Sequence, residues 1–190
     1  MIELMPANAH RREPWRNGGG WTREIARSPS EGNWDWRLSV ADVGRDGPFS
    51  RFEGCDREIV LLAGQGMDLE FEDGERVALR PPHGRLRFAG ERALSARLVE
   101  GPTLDLNLIW RRDPVDMQVF HRPIVGSMLF FGEPGVDWLL YVVAGRVHTP
   151  AGGLDAGDAA RFVIAPGQRV VIDGGGELFL ARVRRRLPDD

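Results

Sequence analysis

The chain is predicted to be all-β, and the placement of its glycines and prolines is the first reason. It carries 24 Gly and 13 Pro in 190 residues. The longest stretches free of both, Asn33 to Val43, Thr103 to Asp113 and Glu177 to Leu187, are 11 residues each. Little room is left for a helix of about three turns. The second reason is alternation inside those stretches, where Leu104, Leu106, Leu108 and Trp110 stand against Asp105, Asn107, Ile109 and Arg111.

Element by element, Thr22 and Glu24 fall on a strand after the glycine run, and Trp36 to Val40 reads as a second. Glu58 to Leu62, Met67 to Phe71, Arg85 to Phe88, Leu139 to Val143 and Glu177 to Val183 are short runs between turn residues. Many short strands so punctuated favour a sandwich or barrel. A faint internal repeat sets Leu61-Leu62-Ala63-Gly64-Gln65-Gly66 beside Val142-Val143-Ala144-Gly145-Arg146-Val147. Two copies of one β-unit, joined around Asp113 to Asp116, would explain the length.

Composition narrows the function. The formal net charge is −3, which argues against a nucleic-acid surface, for which a basic excess is expected. All 25 basic residues are arginine, so Schiff-base chemistry and a P-loop lysine are excluded. Arginine instead supplies planar forks that match carboxylates. Cys55 is the single cysteine, so no intramolecular disulfide and no cysteine-based zinc site can form. A reducing, cytoplasmic setting is expected, with no membrane partner, because neither a signal peptide nor a stretch of transmembrane length is visible.

Two segments carry the candidate chemistry. Pro14-Trp15-Arg16-Asn17-Gly18-Gly19-Gly20-Trp21-Thr22-Arg23-Glu24-Ile25 brackets three glycines with tryptophans, either as a hairpin turn or as the lip of a binding site. Trp34-Asp35-Trp36-Arg37-Leu38-Ser39-Val40-Ala41-Asp42-Val43 is followed by Gly47-Pro48-Phe49-Ser50-Arg51-Phe52 and Gly54-Cys55-Asp56-Arg57. With Gly101-Pro102-Thr103 and Asp105-Leu106-Asn107-Leu108-Ile109-Trp110-Arg111-Arg112, this ordered set resembles the HutD/Ves family of bacterial cupin proteins over roughly the first 112 residues. The resemblance implies a double cupin (bicupin) of two β-barrel or sandwich units, 1–112 and 113–190. It also implies an association with histidine utilisation, through binding of a small acidic pathway metabolite. No established catalytic activity comes with it.

The four histidines, His10, His83, His121 and His148, lack the paired spacing of a cupin metal site, and no metal or other cofactor is expected. Cys55 beside Asp56 and Arg57 is either an arginine-activated thiol or a small buried side chain. Strand alternation puts Trp36, Leu38 and Val40 on one face and Arg37 and Ser39 on the other; it likewise pairs Thr22 with Glu24 and Asp105 with Asn107. The polar faces are either solvated or turned inward around a ligand. In the inward reading Asn17, Thr22, Glu24, Arg37, Ser39, Asp105 and Asn107 bind the ligand, with Arg37 gripping a carboxylate. The reading that follows is a cytoplasmic protein that senses or buffers an acidic, carboxylate or N-formyl intermediate of histidine breakdown, as a monomer or a homodimer. The alternative is a metal-independent isomerase or hydrolase with Glu24 or Asp105 as general base.

Overall fold

The computed structural model describes residues 1–15 and 18–186. Its strands are β1 (Ile2–Met5), β2 (Arg11–Pro14), β3 (Gly20–Ser28), β4 (Trp36–Val43), β5 (Gly47–Pro48), β6 (Cys55–Ala63), β7 (Met67–Phe71) and β8 (Arg76–Leu79). They continue with β9 (Arg85–Ala89), β10 (Leu94–Leu98), β11 (Thr103–Arg111), β12 (Val115–Phe131), β13 (Val136–Thr149), β14 (Gly152–Asp155), β15 (Ala159–Val163) and β16 (Arg169–Arg185). A single 3-10 turn, Ala7–Ala9, is the one helical element among the described residues. The scarcity of helix follows from the glycine and proline spacing.

The chain divides into two compact units. One is contiguous, Arg11–Asp113; the other is split, Met1–His10 with Pro114–Asp190. A first unit of residues 1–112 is therefore not what forms. β1 pairs antiparallel with β15, Ile2 opposite Phe162 through Met5 opposite Ala159, and Ile2 and Leu4 pack against the core of the split unit. Asp158 secures the segment that follows: its Oδ1 accepts the backbone N–H of Ala7 at 2.8 Å and its Oδ2 that of Asp155 at 2.8 Å.

The contiguous unit stacks a sheet ordered β2-β3-β4-β11-β6-β9 with one ordered β5-β10-β7-β8. Val43, Ile59, Met67, Leu69, Phe71 and Phe88 fill the core of this unit. The split unit is one sheet ordered β1-β15-β13-β16-β12, with β14 paired to β13. Among the described residues these hydrogen-bonded orders are open paths, so neither unit contains the closed barrel that the sequence left as one option.

Cross-strand register decides which residues share a face. Arg37 lies opposite Ile109, Ser39 opposite Asn107 and Ala41 opposite Asp105 across β4 and β11. On β6, Arg57 faces Ile109 and Ile59 faces Asn107. Since Ala41 and Ile59 belong to the core, the polar residues in these rows share the core face, as side-chain alternation requires. Ser39 is 1% exposed and its apolar neighbour Leu38 is 2% exposed, so both faces of β4 are buried. In an ordinary half-buried strand the polar face looks to water; here it does not.

The internal repeat has a structural counterpart. In the contiguous unit β11 pairs with β6 as Asp105 opposite Leu61 and Leu104 opposite Ala63, leaving Leu62 as the extra residue of a bulge. In the split unit β16 pairs with β13 as Leu178 opposite Val142 and Glu177 opposite Ala144, leaving Val143 extra. A glycine at positive φ follows each bulge, Gly64 at +97° and Gly145 at +84°. Both sites also lack room: a Cβ on Gly64 would lie 2.6 Å from the Pro102 carbonyl oxygen, and one on Gly145 2.1 Å from that of Gly175. The order β4-β11-β6-β9 thus runs parallel to β12-β16-β13-β15.

Gly64→Ala should therefore destabilise the protein by about 2 kcal/mol or more, combining the left-handed torsion with a backbone clash. Gly32→Ala, at φ +71° with open space around it, should lose only about 1 kcal/mol. Urea denaturation of the two variants checks the ordering, which reverses if the bulge relaxes around a methyl group.

Candidate functional site

A cavity of about 580 Å³ opens into the contiguous unit, within the range of small-molecule sites. β3 contributes Thr22, β4 contributes Arg37 and Ser39, and β11 and β6 contribute Asn107 and Arg57. The loop after β5 adds Phe49, Ser50 and Phe52, and the end of the β2 hairpin adds Glu13 and Trp15. The hairpin is pinned by backbone bonds from Trp15 to the Gly20 carbonyl at 2.9 Å and from Gly18 to the Trp15 carbonyl at 3.0 Å. Glycine is needed at position 20, where a Cβ would sit 2.2 Å from the Asp42 carbonyl oxygen. So the glycine run is a hairpin turn, and that turn places Trp15 in the cavity wall. The Trp15 Nε1–H donates to Thr22 Oγ1 at 2.8 Å, and its ring meets Phe49 edge-on at 5.9 Å.

Two guanidinium groups dominate the electrostatics. Arg57 is buried and donates to Asn107 Oδ1 from Nε at 3.0 Å and from Nη2 at 2.5 Å, with Nη1 at 3.5 Å from the Ser50 carbonyl. Burial, followed by repulsion from Arg37, pushes its pKa down to about 9, and Asp105 only partly offsets them. Arg37 is lowered in turn, first by burial and then by Arg27, against the pull of Glu24 and Glu13. Its Nε is buried without a hydrogen-bond partner among the described residues. Both cations lie over the Phe52 ring, Arg37 at 5.4 Å and Arg57 at 5.8 Å, and Arg57 lies 4.9 Å from the centroid of Phe49. They stay charged at neutral pH. The site therefore holds two desolvated, mutually repelling positive charges, which an anion placed between them would relieve.

Of the residues expected at the site, Thr22, Arg37, Ser39 and Asn107 line the cavity. Asn17 lies outside the described residues. Glu24 is not in the wall; its carboxylate is 3.6 Å from Arg27. Asp105 is fully buried behind the wall and accepts from Thr103 Oγ1 at 3.1 Å. Neither carboxylate offered as a general base therefore lines the cavity. Arg57, Trp15, Phe49 and Phe52 were missed. Arg57 opens the run Arg57, Ile59, Leu61, whose charged first member on a core-facing row was the available signal. Cys55 is buried two residues before Arg57 on the same row of that strand, with burial raising its thiol pKa, and it is absent from the cavity wall, so it is an inert packing residue. Among the described residues the cavity wall contains no imidazole and no thiolate; a single carboxylate, Glu13, beside guanidinium, hydroxyl and amide groups does not fit a transition metal of the cupin kind.

The HutD family model matches residues 7–180. The chain belongs to the HutD family. HutD of Pseudomonas fluorescens SBW25 is 32% identical, with 98% of this chain and 100% of that one covered at a TM-score of 0.86. Protein Ves of Citrobacter koseri is 36% identical over 146 residues, which are 76% of this chain and 71% of that protein. The 21.2 kDa protein in the hutC 3′ region of Pseudomonas putida is 41% identical over 111 residues; the match spans 57% of this chain and 58% of that protein. Escherichia coli pirin YhhW, solved with nickel(II), is 13% identical with a TM-score of 0.73 over 97% of this chain and 99% of that one, a likeness of fold alone. As a HutD-family member the chain is thus all-β and cupin-like.

One consequence of burying the polar row is a pH dependence of stability in this HutD-family chain. Desolvation raises the Asp105 carboxyl to about 7, against the opposing effects of Thr103 and Arg57. A carboxyl raised in the folded state favours folding fully below its unfolded pKa of about 4, and that contribution is lost as pH rises through about 7. Stability should thus fall between about pH 4 and 7 by an amount on the order of a few kcal/mol. Asp105→Asn should flatten that limb. Denaturation midpoints across this range check it, and an unchanged slope in the variant would remove Asp105 as the cause.

Proposed function

We propose that this protein is a cytoplasmic bicupin that binds a small acidic metabolite in its contiguous unit, and that the ligand belongs to histidine degradation. The pair of buried guanidinium groups, Arg37 and Arg57, facing one cavity carries the reading. A carboxylate held by one fork can take parallel N–H bonds, and charge-assisted bonds are about twice as strong as neutral ones. Ser39 and Asn107 supply hydroxyl and amide groups suited to a second polar group such as an N-formyl, and Phe49, Phe52 and Trp15 supply apolar walls. Support for a bicupin comes from the common strand order and the matching bulges of the two units. The link to histidine utilisation is supported by family membership and by the relative in the hutC 3′ region. Binding rather than turnover is favoured because the acids proposed as bases, Glu24 and Asp105, lie outside the wall, and Glu13, the carboxylate within it, is paired with Arg11 at 2.8 Å.

The test is titration calorimetry with glutarate and with N-formylated amino acids. Arg57→Gln should weaken binding by roughly tenfold to over a hundredfold, the loss of a charge-assisted contact of about 1.5 to 3 kcal/mol. Its melting temperature should fall as well, since the buried Asn107 Oδ1 loses its donors, so affinity is measured well below the variant's own midpoint. Arg37→Ala should weaken binding in the same direction. Unaltered affinity in both variants, or equal affinity for the neutral diamide of glutarate, would sink the anion site.

A further inference from the structure

The split unit has a cavity of its own, of about 370 Å³. Its walls are aromatic: Phe130 meets Trp138 edge-on at 5.3 Å and Phe162 at 5.1 Å, and Phe120 lies 6.3 Å from Trp138. Rings locked against one another in this way form a rigid surface with little rotamer freedom left to lose on binding. Leu129, 45% exposed, and Phe131, 61% exposed, stand at the cavity as apolar surface open to solvent. Such side chains gain by being covered.

Two charged residues line this cavity, and only one has its charge answered. Glu133 receives Arg182 through Nη2 at 2.5 Å and Nε at 3.3 Å. Arg122 lies over the Phe120 ring at 5.3 Å and donates from Nη1 to its neighbour's backbone, the His121 carbonyl, at 3.0 Å. No carboxylate pairs with Arg122 among the described residues. The indole Nε1–H of Trp138 is buried and without an acceptor among the described residues; a ligand oxygen reaching it would recover a hydrogen bond that the free protein lacks.

We propose that this cavity is a second small-molecule site, selective for an aromatic or bulky aliphatic carboxylate whose charge is held by Arg122 and whose apolar body rests on Phe120, Phe130 and Trp138. The chemistry differs from that of the contiguous unit. There, two cations and short polar groups suit a compact polar acid; here, one cation above a predominantly aromatic wall suits an amphipathic one. The two sites share no residue, so either can fail without the other.

Phenylacetate, with phenylacetamide as its neutral counterpart, probes the site in the full-length protein by calorimetry and tryptophan fluorescence. Phenylacetate should bind at least tenfold more tightly than phenylacetamide. Arg122→Gln should remove that difference, and Arg122→Lys should restore part of it. The fluorescence change on binding should shrink in Trp138→Phe. Since Arg122 is exposed, Arg122→Gln should keep the wild-type melting temperature. Equal affinity for the two probes, or no binding of phenylacetate at millimolar concentration, overturns the proposal. So does phenylacetate binding that survives Arg122→Gln but is lost in Arg57→Gln, which would put the probe in the other cavity. A dimer that dissociates on Phe131→Ser would instead assign the apolar surface to a second copy of the chain and overturn it as well.

Discussion

The bidentate grip of Arg57 on Asn107 is the contact around which the contiguous unit is arranged. It joins β6 to β11 on the core-facing side of the sheet, where both side chains are buried, through Nε and Nη2 on one amide oxygen. A guanidinium taken out of water is costly, and a neutral amide returns only part of that cost. The remaining charge is what the cavity presents. Asn107 is fixed in turn by its Nδ2 donating to the Asp105 carbonyl at 3.1 Å, so the acceptor is held in place toward Arg57. Ser39, directly across the ladder from Asn107, continues the row onto β4. The polar groups of the cavity come from four adjacent strands of one sheet, β3, β4, β11 and β6, and regular strands position side chains more rigidly than loops do.

Much of the fold could be read from residue spacing. The short intervals between glycines and prolines excluded long helices, and period-two alternation located β4 and β11 and separated their two faces correctly. The repeated Leu-Leu-Ala-Gly and Val-Val-Ala-Gly runs marked a bulge that both units share. What spacing did not reveal was long-range pairing. Nothing local in Ile2-Glu3-Leu4-Met5 indicates that its partner is Phe162 and its neighbours, because antiparallel pairing over such a distance leaves no periodic trace. Whether the sheets closed was likewise undetermined, since closure depends on strand tilt and stagger rather than on which residues alternate.

The site was partly legible for the same reason. Thr22, Arg37, Ser39 and Asn107 were accessible to alternation because they sit in the middle of regular strands. Asp105 followed the alternation too, yet it is fully buried opposite Ala41 and is not part of the wall. Glu24 fails differently: a bulge between Glu24 and Ala26 interrupts the β3–β4 register, and its carboxylate turns to Arg27. In the sequence Arg57 reads only as a neighbour of Cys55, because the apolar run begins at Glu58 and leaves it outside the strand, whereas β6 begins at Cys55. Only the register with Ile109 and Asn107 shows that it points inward.

The exchange of the first strand gives the chain an order of assembly. The contiguous unit, Arg11–Asp113, has all of its pairing partners once its own segment has been made. The split unit cannot complete its sheet until β15, some 150 residues after the strand that must edge it, and then β16 have emerged. A nascent chain can therefore present a formed cavity while β1 is still unpaired. Trimming or masking the N-terminus would then injure the half of the molecule farthest along the sequence, and spare the nearer one.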